Sequence, residues 1–327
     1  MQPFSYTKAT RQSDALAALR ANTNAALIAG GTDLLDLMKL GISAPDQLID
    51  INRVDLADID VADNVTTIGA LARMCDVAND PRIQKALPAL SQALLASASG
   101  QIRNMATIGG NLMQRTRCPY FRERAFPCNK RSPGSGCAAI AGFDRGGAIF
   151  GASPKCIAVH PSDMAVALVA LGAEVVIADG QSDRRVAVED FYLLPGDAPD
   201  RETVLAPGEL IVAVNVPNSA AARRSAYLKV RDRASFEFAL VSVAVAIELK
   251  GTTIRSARIA LGGVAPRPWR IPAAEDAVIA KRATAANFAT AAAAAMSDAV
   301  PARLNGFKVA MAKAAIVRAL ATVTGAY

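Results

Sequence analysis

The sequence predicts a fold that mixes α-helices with β-strands. Three observations carry that expectation. Residues 25–51 run strand, glycine loop, helix, strand. Residues 164–178 return to a helix-then-strand order after an irregular stretch. Residues 226–320 pass from apolar strand-like segments to alanine-rich helical ones.

In chain order, residues 11–21 read as a short amphipathic helix, with Leu16 and Leu19 at helical spacing. Residues 25–29 form an apolar strand, 34–40 a helix and 47–51 a second strand. A second unit covers 54–112, with a strand at 65–68 and helices at 71–77 and 83–98. Residues 113–157 are rich in Pro, Gly, Arg and Cys and lack periodicity, and such a stretch inside a compact domain is usually functional. Residues 181–217 close this domain, and 217–222 read as a linker. Strand- or helix-forming apolar segments follow at 226–231, 239–249 and 256–262. The runs 284–296 and 307–320 are helical by propensity.

The 327 residues allow one large or two to three modest domains. An apolar content of 52% with 20% charged residues gives ample core and excludes disorder. The longest apolar stretches are short and interrupted by Glu174 or Glu248, so no membrane insertion is expected. Met1-Gln2-Pro3-Phe4 does not resemble a signal peptide, which makes the cytoplasm the default location. The five cysteines are an odd count, and four fall between Cys118 and Cys156, which points to metal chemistry rather than disulfides.

Two glycine segments carry the first chemical signal. In Leu27-Ile28-Ala29-Gly30-Gly31-Thr32-Asp33-Leu34, glycines after a strand let backbone N–H groups approach an anion, and Thr32 can add a hydroxyl. The pattern is neither a nucleotide-hydrolysing P-loop nor a dinucleotide fingerprint. Thr107-Ile108-Gly109-Gly110-Asn111 reads as a second such loop, which Asn111 can brace by side-chain hydrogen bonds. Each alone is compatible with a plain turn. Together they suggest a pyrophosphate site.

This pair resembles the FAD-binding medium subunits of the xanthine dehydrogenase, carbon monoxide dehydrogenase and aldehyde oxidase group. Pro161-Ser162-Asp163 and Tyr227-Leu228-Lys229-Val230-Arg231 extend the resemblance over nearly the whole chain. It implies an α+β fold: a vanillyl-alcohol-oxidase-type FAD domain at 1–221, with subdomains 1–53 and 54–221, and a smaller α+β domain at 222–327. It implies that residues 27–34 wrap the FAD pyrophosphate and that Thr107, Gly110 and Asn111 bind from the opposite side. Ser162 and Leu210 join the cofactor site. Asp163 would bond the adenosine half or the loop near it. Lys229 would lie by the flavin ring, where its charge favours a reduced, anionic flavin; the plain alternative is a solvated strand-edge lysine.

The stretch 113–157 then stands out as an insert. Cys118, Cys128, Cys137 and Cys156 are spaced C-x9-C-x8-C-x18-C, and four thiolates suit either Zn²⁺ or a [4Fe–4S] cluster. The close Cys pairs usual for structural zinc are absent, and a redox flavin domain favours the cluster. The segments around Cys118, Cys128 and Cys137 are similar to the FAD subunit of bacterial periplasmic aldehyde oxidoreductases, which implies a [4Fe–4S] cluster on these cysteines. The insert holds eight Lys/Arg against Glu123 and Asp144, which is +6 of the chain's +7. Those cations would offset a negative cluster and raise its potential. The rival readings are a docking patch for an acidic partner or a polyanion, and no aromatic-interleaved surface supports nucleic acid. Cys75 reads as core. His160, the single histidine, reads as a loop residue able to touch cluster or flavin.

The function implied is electron relay. A large partner with a molybdenum cofactor oxidises an aldehyde to a carboxylate. A small partner with two [2Fe–2S] clusters passes electrons singly, and FAD in this chain hands pairs to an external acceptor. No residue of this chain acts catalytically on the aldehyde. Export to the periplasm with a signal-bearing partner follows from the same resemblance. The alternatives are a 4-hydroxybenzoyl-CoA reductase or xanthine dehydrogenase-like subunit, a zinc-braced FAD scaffold, and a standalone flavin oxidase.

Overall fold

The computed structural model of the chain describes residues 1–326. Its first layer is a parallel sheet of β1 (Ser5–Lys8), β2 (Ala25–Ile28) and β3 (Gln47–Asp50), in the order β1-β3-β2. The helix Gln12–Ala21 joins β1 to β2 and buries Ala15 and Leu16. After β2 the chain bends at Gly30-Gly31 into the helix Leu34–Lys39. Gly31 adopts φ +70, which only glycine takes without strain.

The second layer is an antiparallel sheet of β4 (Ile59–Val61), β5 (Val65–Gly69), β6 (Glu174–Ala178), β7 (Asp183–Ala187) and β8 (Leu210–Pro217). Its order is β4-β5-β8-β6-β7. The helix Asp163–Leu171 packs beside it with all nine residues buried, which explains its unbroken apolar run. Ser162 caps this helix by accepting the N–H of Ala165 at 3.0 Å, and Gly172 at φ +69 ends it.

The third layer holds β9 (Ser225–Val230), β10 (Val241–Lys250), β11 (Thr253–Gly262) and β12 (Trp269–Arg270), all antiparallel, in the order β12-β11-β10-β9. Val241, Val243, Val245 and Ile247 face the C-terminal helices Ala285–Ala295 and Phe307–Thr324. Ala244 and Ala246, on the opposite face, join the core around the helix Asp163–Leu171. Strand β10 is therefore buried on both sides, and its apolar run is continuous rather than alternating. Small alanines on the shared face let the two domains pack closely.

Three local expectations are corrected. The single helix at 83–98 is two, Pro81–Ala86 and Pro88–Ala96, because a proline opens each and Pro88 cannot continue the first. The helix placed at 71–77 starts later, at Met74–Asn79. The supposed linker at 217–222 folds as a helical turn, Ala220–Arg223, whose N-cap Ser219 accepts from Ala222.

Candidate functional site

Gly30 sets the geometry of the cleft. A Cβ there would stand 2.0 Å from the carbonyl oxygen of Met105, so only glycine lets the 27–34 loop lie against the 105–106 backbone. The segment after Met105 is not a loop, as expected from sequence, but the short helix Ile108–Leu112. Thr107 caps it, accepting the N–H of Gly110 at 3.2 Å. Asn111 braces the turn as expected: its Oδ1 accepts from the Ser162 hydroxyl, and its amide points at Met74 Sδ.

Between the two segments lies a cavity of about 240 Å³ lined by Leu27, Ile28, Ala29, Gly30, Gly31, Thr32, Asp33, Leu34, Thr107 and Gly110. It shares walls with two others. On one side, an apolar slot of about 380 Å³ adds Leu19, Leu71, Leu210 and Ile211 to Leu27, Ala29, Thr107 and Gly110. On the other, a cavity of about 460 Å³ runs from Thr32, Asp33 and Gly110 past Asn111 to Asp163 and Lys229. The expected cofactor residues thus fall along one cleft with an apolar end, a glycine-lined middle and a charged end. Ser162 stands behind it, spending its hydroxyl on the helix cap and Asn111.

At the charged end, Lys229 is no solvated lysine. Its ammonium pairs with Asp163 at 2.8 Å and donates to the Ala96 carbonyl at 3.2 Å. Asp163 also accepts from Ser97 at 3.0 Å and from the Tyr227 hydroxyl. Burial, then the Asp163 charge, push the Tyr227 phenol well up, so it stays a donor. Phe236 and Phe238 line the same cavity and were not singled out from sequence; two aromatics in Ser235-Phe236-Glu237-Phe238 were the available signal. Phe236 holds φ +50, a left-handed conformation that is strained for a bulky residue.

The insert folds beside this cleft. Its helices are two single turns, Pro119–Arg122 and Ala138–Ala141. Cys128 and Cys156 are buried, Cys118 and Cys137 half-buried, and all are free thiols. Cys128 and Cys137 pair as an isolated bridge of antiparallel backbone. Burial raises the Cys118 thiol and pushes Cys156 up to about 11, against the pull of Lys130, and the other insert thiols add to both. Among the described residues, no three or more His, Cys, Asp or Glu side chains are gathered as a single-ion site. A Zn²⁺ tetrahedron with bonds of about 2.3 Å needs sulfurs about 3.8 Å apart.

The insert's positive charge is used inside the molecule. Six of its eight cations pair with acids outside the insert: Arg115 and Lys130 with Glu202, Arg117 and Arg122 with Asp33, Arg145 with Asp232, and Lys155 with Asp197. Arg131 donates to the carbonyls of Tyr120, Phe121 and Phe126. His160 packs against Tyr192 with ring centroids 4.3 Å apart and the rings tilted by 49°, and its Nε2 is buried without a hydrogen-bond partner. Cys75 is half-buried and hydrogen-bonds Asp76 rather than lying in the core.

Fold and cleft together describe a cofactor-binding domain of two lobes backed by a smaller sheet-and-helix domain. Residues 2–219 match the family described as the FAD binding domain in molybdopterin dehydrogenase, and residues 225–323 match the CO dehydrogenase flavoprotein C-terminal domain. The chain belongs to the FAD-binding medium subunits of the molybdenum hydroxylases, and is an oxidoreductase subunit. It is 49% identical over 324 residues to the aldehyde oxidoreductase FAD-binding subunit PaoB of Escherichia coli, covering 98% of each chain. It is 31% identical to the glyceraldehyde dehydrogenase medium chain of Sulfolobus acidocaldarius, covering 85% of this chain and 82% of that one. The carbon monoxide dehydrogenase structure from Hydrogenophaga pseudoflava superposes with a TM-score of 0.77 at 29% identity, over 99% of this chain and 98% of that chain. The α+β fold expected from the resemblance is the one observed.

Proposed function

We propose that this chain is the electron-collecting subunit of a heterotrimeric molybdenum-dependent aldehyde oxidoreductase, with FAD in the cleft and a [4Fe–4S] cluster on Cys118, Cys128, Cys137 and Cys156. Electrons from an aldehyde oxidised on a large molybdenum-cofactor partner reach it through a small partner with two [2Fe–2S] clusters and leave to an external acceptor. Identity of 49% across the whole chain to an aldehyde oxidoreductase subunit supports the substrate class. The periplasm, reached with a signal-bearing partner, belongs to the same reading.

The cleft residues suit FAD. The apolar slot at Leu210 suits an adenine ring. The glycine-lined middle, with Gly30, Gly31 and Gly110 in its wall, suits a diphosphate. The end at Asn111, Asp163 and Lys229 suits a polar ring system, with Lys229 held in place by Asp163. When bound, the cluster supplies one-electron transfer and FAD stores electron pairs. The chain's own groups bind, orient and bury them.

The observation that supports the reading is an insert beside the glycine loop that carries four free thiols, two buried and two half-buried. Iron and acid-labile sulfide analysis of the purified complex tests it. About four irons and four sulfides per flavin beyond those of the small subunit are expected. Stoichiometric zinc without that iron would sink it.

A further inference from the structure

Asp33 occupies an awkward place. It follows Gly30-Gly31-Thr32 directly and lines both the glycine cavity and the cavity next to it. A carboxylate there is a negative charge in the wall of a site read as holding a diphosphate. Asp33 has no local work that would explain it: it precedes the helix Leu34–Lys39, yet its side chain makes no capping bond to that helix.

Among the described residues, the partners of its carboxylate come from the cysteine insert. Arg117 Nη1 lies 2.5 Å from Asp33 Oδ1, and Arg122 Nη2 lies 3.1 Å from the same oxygen. The backbone N–H of Arg115 donates to Oδ2 at 3.0 Å. Arg122 also pairs with Asp36, one turn on. These two arginines bracket Cys118, and Leu37 of the same helix packs with Phe121 and Cys128. The Asp33 carboxylate is only 15% exposed, as is the Arg122 side chain, so solvent screens the pair weakly.

We propose that Asp33 is the joint through which the cysteine insert sets FAD affinity. Arg117 and Arg122 neutralise the carboxylate, so the glycine N–H groups can accept a diphosphate without facing a bare anion. The two arginines are positioning residues: they act on the cofactor through Asp33 and the loop it belongs to. The inference rests on the FAD site proposed above. It gives the insert a role in cofactor retention that is separate from electron transfer.

The full-length chain, stripped of FAD and titrated back with it, tests this by flavin fluorescence. Arg117→Gln/Arg122→Gln is expected to weaken FAD binding by about tenfold or more, because an uncompensated like charge then faces the ligand. Adding Asp33→Asn to that variant should restore most of the affinity, which a merely unfolded insert would not allow. Iron content measured on the same samples keeps the cluster assignment separate: weak FAD binding with undiminished iron supports the joint. Unchanged FAD affinity in the double arginine variant overturns the proposal whatever metal is present. So does an affinity that Asp33→Asn fails to recover.

Discussion

Lys229 and Asp163 form an ion pair of 2.8 Å in which the side chains are 4% and 5% exposed. The pair joins strand β9 of one domain to the buried helix Asp163–Leu171 of the other. Both charges are desolvated, so each depends on the other, with Ser97, Tyr227 and the Ala96 carbonyl satisfying the remaining sites. Lys229→Met alone should cost about 3–5 kcal/mol in urea denaturation, because it strands a buried carboxylate. Lys229→Met/Asp163→Asn should recover most of that loss. Equal stability of the single and double variants would refute the coupling.

Gly30 and Gly100 predict opposite responses to the same substitution. A Cβ at Gly30 meets the Met105 carbonyl at 2.0 Å, whereas at Gly100, in the first turn of the helix Gly100–Met105, it meets nothing within 4 Å. Gly30→Ala must move backbone and should cost about 1–3 kcal/mol. It should also lower the FAD content read from the visible spectrum. Gly100→Ala should stabilise by about 0.5–1 kcal/mol with FAD content unchanged. A Gly30→Ala protein with normal flavin content would show that the close approach is dispensable.

His160 should stay neutral across the physiological range. Burial, with Lys130 adding, drives its pKa down to about 3. Its exposed surface faces cavity walls that include Arg117, Arg115 and Lys130 as well as Asp163 and Glu202. The unfolded chain takes up this proton near pH 6.5 and the folded chain near 3, so the unfolded state binds more protons in between. This residue's stabilising contribution is complete above pH 6.5 and falls as pH drops toward 3. The loss at pH 5 is about 2 kcal/mol. As the chain's one histidine, a labelled imidazole gives a single resonance, which should not shift between pH 8 and 5. A midpoint near 6.5 would mean the ring is solvated.

The cleft and the insert were legible in sequence for different reasons. Apolar Ala25–Ile28 followed by Gly30-Gly31 announces a strand and a close backbone turn, and four cysteines in an aperiodic stretch set the insert apart from the domain around it. Strands β1, β4 and β7 escape a sequence reading because these sheet edges are polar, as in SYTK and DRRVA, or very short, as in IDV. Strand β8 was absorbed into a domain end although it lies at the centre of its sheet, because its partners β5 and β6 are distant in sequence. The pairing of Asp33 with Arg117 and Arg122 is likewise long-range. Composition showed that the insert is basic but not that its charges are spent on acids elsewhere.

The far end of the insert is anchored as firmly as the near end, and to a different domain. Asp144, 2% exposed, accepts the backbone N–H groups of Arg303 at 3.1 Å and Leu304 at 2.9 Å. Asn305 donates to the carbonyls of Gly147 and Ala148, and the buried Lys308 ammonium to those of Gly146, Gly147 and Gly263. The insert therefore spans from the glycine loop to the turn before the C-terminal helix. Asp144→Ala removes the acceptor of two N–H groups and should cost about 2 kcal/mol. Hydrogen exchange should quicken at Arg303 and Leu304, and limited proteolysis should cut within the insert. Asp144→Asn keeps one carbonyl acceptor and should cost less. Arg122→Gln loosens the opposite anchor, so it should leave exchange at Arg303 and Leu304 unchanged; acceleration at both ends by either variant would show that the insert opens as one unit rather than from separate anchors.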